Sequence, residues 1–88
     1  MPNIICLGDR TSHGGQVIEV KVTHYAIGGI PLARVGDLCS CPIPGHNNCT
    51  VAEGNPHHLV EGIPVAYEGH KTSCGAVLLA TQTVFAAQ

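Results

Sequence analysis

Three residues of metal-binding type stand at one position of a thrice-repeated loop. The loop reads Gly8-Asp9-Arg10-Thr11-Ser12-His13, then Gly36-Asp37-Leu38-Cys39-Ser40-Cys41, then Gly69-His70-Lys71-Thr72-Ser73-Cys74, so its sixth place is His, Cys and Cys. Imidazole nitrogen and thiolate sulfur are the ligands that zinc takes, four at a time, in a tetrahedron. Three equivalent loops converging on a pseudo-threefold axis supply three of the four. The segment Cys41-Pro42-Ile43-Pro44-Gly45-His46 offers the last, because two prolines and a glycine fold the chain back between a Cys and a His. The expected site is one structural zinc, closed to water, held by His13, Cys41, His46 and Cys74.

The other candidate ligands read differently. His70 stands where the other copies have Asp9 and Asp37; it is either a replacement ligand for Cys41 or Cys74, or a loop histidine bonded to backbone. Cys6, Cys39 and Cys49 have no Cys or His counterpart in the repeat and read as small buried thiols. His24 and His57 recur ahead of the hairpin turns and read as structural, while His58 carries no signal. Ser12, Ser40 and Ser73 recur beside the ligand slot, and Cys with His is a nucleophile–base combination. A repeated Ser, however, is what a turn uses to bond its own backbone, and 88 residues leave little room to bury a pocket of the usual ~300 Å³. No catalytic residue is expected, and the chain is not read as an enzyme.

The elements that must position the loops follow from a duplication. With a shift of 33 residues, His24 to Cys41 falls on His57 to Cys74 with eight identities: His24/His57, Gly29/Gly62, Ile30/Ile63, Pro31/Pro64, Ala33/Ala66, Gly36/Gly69, Ser40/Ser73 and Cys41/Cys74. Residues 16–23 alternate and are β-branched, and 30–35, 59–67 and 77–85 are apolar with Gly or Pro at their edges, which predicts strands. Gly28-Gly29 and Glu61-Gly62 are expected hairpin turns. Pro31 and Pro64 donate no ladder hydrogen bond and belong at strand starts or edges. The predicted architecture is all-β, one domain over 1–88, with short hairpins, three equivalent loops and no helix beyond a short C-terminal turn.

Composition excludes several classes. Charged residues are 11% of the chain and the net charge is −2, with Arg10, Arg34, Lys21 and Lys71 scattered singly, so no basic stripe exists for nucleic acid. No apolar run approaches the ~18 residues of a membrane span, and the first residues show no signal-peptide pattern, so synthesis in the cytoplasm is expected. Five cysteines, an odd count, argue against a full disulfide framework and for metal. Trp is absent and Tyr25, Tyr67 and Phe85 are the only aromatics, so any core is built from small side chains.

Gly8-Asp9 with Thr11-Ser12-His13-Gly14-Gly15, Gly29-Ile30-Pro31-Leu32-Ala33-Arg34-Val35-Gly36-Asp37, Cys41-Pro42 with Gly45-His46, and Gly62-Ile63-Pro64-Val65-Ala66 with Glu68 to Gly75 resemble the PAAR-repeat family. The name-giving Pro-Ala-Ala-Arg stands here as Pro31-Leu32-Ala33-Arg34 and Pro64-Val65-Ala66-Tyr67, one departure in the first copy and two in the second. The resemblance implies a small β cone with zinc near its apex. Such a cone caps and sharpens the trimeric VgrG spike of a bacterial type VI secretion system, punctures a membrane and can help attach effectors. One monomer per trimer is expected, assembled in the cytoplasm and delivered with the spike, with 26–32 and 59–65 as candidate contact segments. The chain then reads as a bare module without effector extension. The alternative is a zinc-stabilised adaptor on another trimeric, phage-tail-like spike.

Overall fold

Each of the three loops starts at a glycine that only glycine suits. In the computed structural model, which describes residues 3–23, 25–27, 29–45 and 48–81, Gly8, Gly36 and Gly69 have φ of 91°, 94° and 97°. Each is the third residue of a turn, as in type II, closed by Asp9 N–H to Cys6 O, Asp37 N–H to Arg34 O and His70 N–H to Tyr67 O, all at 3.0 Å. The fourth residue's side chain returns the bond. Asp9 Oδ2 accepts from Cys6 N–H at 2.8 Å, Asp37 Oδ2 from Arg34 N–H at 2.8 Å, and His70 Nδ1 from Tyr67 N–H at 3.0 Å.

Between these turns the described residues form nine short strands: β1 Arg10–Thr11, β2 Val17–Glu19, β3 Ala26–Ile27, β4 Ile30–Pro31, β5 Leu38–Cys39, β6 Cys49–Thr50, β7 Asn55–Val60, β8 Ile63–Val65 and β9 Leu78–Leu79. No helix occurs among the described residues. β2, β5 and β6 form one sheet, and β1–β9, β3–β4 and β7–β8 form pairs, all antiparallel. The bridges Arg10↔Gln16, Val51↔Thr72 and Lys71↔Val77 join these pieces, so β1, β2, β5, β6, the third loop and β9 make a circuit that returns to its start. Closing the circuit pairs strand edges that would otherwise be open to other chains.

Two further rings of bonds follow the same order. Ile5 N–H donates to Ala66 O, Ala33 N–H to Ile5 O and Ala66 N–H to Ala33 O, at 2.9, 2.8 and 3.0 Å; all three residues are fully buried. Nearer the loop tips, Ser12, Ser40 and Ser73 each exchange two bonds with the strand of another copy. Their N–H groups donate to Val77 O, Gln16 O and Thr50 O, and their hydroxyls accept from Val77, Gln16 and Thr50 N–H at 2.9, 3.0 and 3.1 Å. The serines were expected to bond their own turns; they bond across copies instead. Gly15 shows how close that approach is, since a Cβ on it would lie 1.9 Å from Ser40 O.

The core agrees with the poverty of aromatics. Ile5, Val17, Val20, Ala33, Cys39, Val51, Ala66 and Leu78 form the main cluster, and Leu32, Val60 and Val65 a second one against Ile4 and Tyr67. The fold is therefore the expected all-β cone of short hairpins with pseudo-threefold order, 36 × 26 × 22 Å in extent. Strands are shorter than the periodicity suggested because each copy turns again within a few residues and because β2 carries a register shift between Val17 and Glu19. The stretch read as 59–67 is a hairpin that starts at Asn55 and turns at Glu61 and Gly62, with φ of 53° and 82°. Gly28 and residues 82–88, which include the last four residues of the strand predicted over 77–85 and the short C-terminal turn, lie outside the described residues.

Candidate metal centre

In the first and third loops the ligand is the third residue of a tight turn. Gly14 N–H donates to Thr11 O at 3.1 Å and Gly75 N–H to Thr72 O at 3.0 Å. The Thr hydroxyl braces each turn from inside: Thr11 Oγ1 accepts from His13 and Gly15 N–H at 3.3 and 3.2 Å, and Thr72 Oγ1 from Ala76 N–H at 3.2 Å. In the second loop Pro42 stands where those glycines donate, and it has no N–H. The chain leaves the turn there, and six more residues separate Cys41 from Cys49 than separate His13 from Gly15.

Despite that difference, the three sixth-position side chains meet. His13, Cys41 and Cys74 form a cluster that could hold a metal ion, their ligand atoms all within 4.8 Å of one another. The triangle is nearly equilateral: Cys41 Sγ to His13 Nδ1 is 3.7 Å, Cys74 Sγ to His13 Nδ1 is 3.8 Å and Cys74 Sγ to Cys41 Sγ is 3.7 Å. Tetrahedral zinc bonds of ~2.3 Å to sulfur and ~2.0 Å to nitrogen place ligand atoms about 3.8 Å (S to S) and about 3.6 Å (S to N) apart. The triangle therefore fits one face of a zinc tetrahedron. The two sulfurs are far beyond a disulfide bond of ~2.05 Å, so neither cysteine is in a disulfide, and both are half-buried.

The thiols around the centre fall into two kinds. Cys74 is lowered to about 5, chiefly because the Cys49 thiol donates to it, with Thr72 Oγ1, 3.2 Å from its sulfur, adding to the effect. Cys49 is raised to about 11 by the same bond, which holds its proton, and then by burial. Cys39, directly opposite Cys49 in the β5–β6 pair, is raised to about 11 by burial first and then by Cys49 and Asp37. Cys6 is raised to about 11 by burial and then by Asp9, and its Sγ lies 4.0 Å from Ile4 O. A low thiol suits a ligand, which binds as thiolate; high ones suit packing.

His70 performs the backbone-capping duty of Asp9 and Asp37 and is absent from the three-residue cluster. His46, the expected fourth ligand, and His24, the first repeated histidine, lie outside the described residues. His57 is exposed, its N–H bonded to Asn55 Oδ1 at 2.8 Å. Two partners carried no signal in the sequence. Cys49 lies against Cys74, which becomes visible only when the insertion is removed and Cys49 aligns with Gly15 and Ala76. His58 Nδ1 meets the Tyr67 hydroxyl at 2.6 Å, a contact between two non-identical places of the repeat.

A comparison with curated proteins found no match. The family model described as PAAR motif matches residues 7–80, a span that holds all three loops, the ligand triangle and both hairpins. The chain belongs to the PAAR-motif family.

Proposed function

We propose that this protein is a spike-tip protein that works by shape and metal rather than by catalysis. The observation that carries the reading is the pseudo-threefold set of backbone rings with the His13–Cys41–Cys74 triangle at its loop end. A base with three similar edges suits a partner with true threefold symmetry, because each edge can meet an equivalent strand end. The partner is a trimeric VgrG-type spike of a type VI secretion system, capped by one monomer and sharpened for puncture. Assembly takes place in the cytoplasm, the cap travels with the spike, and effector attachment is a further use of the same module.

The metal is one zinc, held by His13, Cys41 and Cys74 with His46 as fourth ligand. Zinc supplies no reaction here; it ties three loops together where strands converge and leave no space for an apolar core. The Ser hydroxyls beside it are engaged with backbone N–H groups, which suits a structural role. Mixing the protein with a VgrG-type spike fragment and weighing the complex by light scattering tests the proposal. Three spike chains to one cap is the expected mass ratio. Three to three, or no complex while zinc is fully loaded, overturns it; elemental analysis checks the single zinc.

A further inference from the structure

The fourth residue of the name-giving motif has no part in the metal centre, yet it is a buried charged side chain. Arg34 is 4% exposed. Its Nη1 donates to Val60 O at 2.9 Å, while its Nε is buried without an acceptor. Burying a guanidinium with a donor left over is unfavourable, and an apolar side chain of the same length would fill the space without that penalty. What an apolar side chain could not do is hold the Val60 carbonyl.

Val60 is the last residue of β7. Directly after it the chain turns through Glu61, the only described residue other than glycine with positive φ, at 53°. The neighbouring copy's counterpart of Arg34 also reaches β7: the Tyr67 hydroxyl meets His58 Nδ1 at 2.6 Å, with the rings 5.7 Å apart and tilted by 58°. His58 and Val60 both lie in the second half of β7, whose pairing with β8 shifts register between Asn55 and Leu59. That half of the strand is held by Arg34 at a backbone carbonyl and by Tyr67 at a side chain. For the first hairpin, β3–β4, the residue in the cross-copy slot is Cys6, whose short side chain stays beside Ile4 O.

We propose that Arg34 is the positioning residue of the second hairpin: its guanidinium bridges two copies at Val60 O and, with the Tyr67–His58 bond, fixes β7–β8 against the buried ring, a bridge that Cys6 does not give β3–β4. Its use rests on the spike-tip reading above, in which the fixed hairpin offers the trimer one preset corner. Amide hydrogen exchange of the zinc-loaded protein, without any partner, tests it. Arg34→Met should lower protection of the β7–β8 amides at least tenfold while the Ile5, Ala33 and Ala66 amides, the β3–β4 amides and the zinc content stay unchanged. Arg34→Lys, which keeps a donor, should restore part of the protection. Tyr67→Phe, which removes one hydroxyl, should give a smaller loss confined to β7, and it keeps the test decisive if Arg34→Met does not fold. Unchanged protection in β7–β8, or an equal loss everywhere, overturns the proposal. Spike binding is scored separately: intact exchange differences with no spike binding by the wild type reject the spike-tip reading and leave the bridge standing.

Discussion

The first and third loops of the centre are built alike, and the second is not. The first and third close a four-residue turn with a glycine N–H and brace it with a Thr hydroxyl. The second has Cys39 where the others have Thr, Pro42 where the others have Gly, and a long excursion before the strand resumes at β6. Yet Cys41 Sγ stands as close to its two neighbours as they stand to each other. The turn is therefore not what places the ligand. What all three loops share is the step before it, the Ser that is clasped from both its N–H and its hydroxyl by another copy's strand.

The largest effect expected from breaking this arrangement is loss of the metal itself. His13→Ala, Cys41→Ala and Cys74→Ala should each abolish stoichiometric zinc, although they sit in two kinds of loop. Structural zinc is worth on the order of 10 kcal/mol in small domains, and about 1 kcal/mol moves the melting temperature by roughly 4–8 °C at this size. Each variant should thus melt about 20 °C or more below wild type by calorimetry, as should wild type in chelator. If Cys41→Ala alone keeps its zinc, the two kinds of loop do not contribute alike.

Making the loops equal sharpens the same comparison. Replacing residues 42–48 by one Gly gives the second loop the length of the others and removes His46. The protein should still fold and still hold the three-residue triangle, but bind zinc at least tenfold more weakly in a competition with a chromogenic chelator. Unchanged affinity would mean that His46 is no ligand.

Smaller effects should come from the braces. Thr11→Val strips a buried acceptor from two N–H groups, and Thr72→Val strips one from the Ala76 N–H and removes the hydroxyl beside the Cys74 sulfur, each of which costs about 1–3 kcal/mol. Cys39→Thr installs the brace in the loop that lacks it and should change stability by less than about 1 kcal/mol, since the open turn gives it less to hold. Denaturant midpoints at constant zinc read both.

A separate effect, read in metal-free protein, concerns protons. In the folded state Cys74 is depressed from 9.0 to about 5 by the Cys49 bond, so its contribution is full above pH 9 and is lost as pH falls through 5. Cys49, raised to about 11, contributes below pH 9 and loses its share as pH rises through 11. The pair should give metal-free protein a stability maximum near pH 9, read as denaturant midpoints in chelator across pH 5 to 11. Cys49→Ala should flatten both flanks; an unchanged profile would show that the two thiols do not share a proton.

How much of this was legible in the sequence depends on whether the repeat carried it. The ligand slot, the Gly8, Gly36 and Gly69 turns and the two hairpins recur, and recurrence exposed them. The serines recur too, but their partners lie in other copies, and a hydroxyl next to a turn looks the same whether it bonds inward or across. Arg34 and Tyr67 fill one slot with unlike side chains, so their shared hold on β7 is a product of packing that no alignment of copies reveals. His70 was ambiguous because imidazole Nδ1 can replace a carboxylate oxygen as acceptor as readily as it can bind metal. Strand lengths were overread for a physical reason: period-two alternation continues through a turn that only glycine's φ discloses.

The ring of Ile5, Ala33 and Ala66 also bears on how the molecule comes together and apart. A chain of bonds that closes on itself has no terminal member to fray, and it closes only when Ile5 and Ala66, 61 residues apart in the sequence (66 − 5), meet. Such non-local closure slows folding. The reverse path is equally demanding, since no copy peels away without opening contacts to both others, and barriers of that kind make resistance to unfolding a matter of rate. On the spike-tip proposal, persistence on that timescale would serve the protein whatever its equilibrium stability.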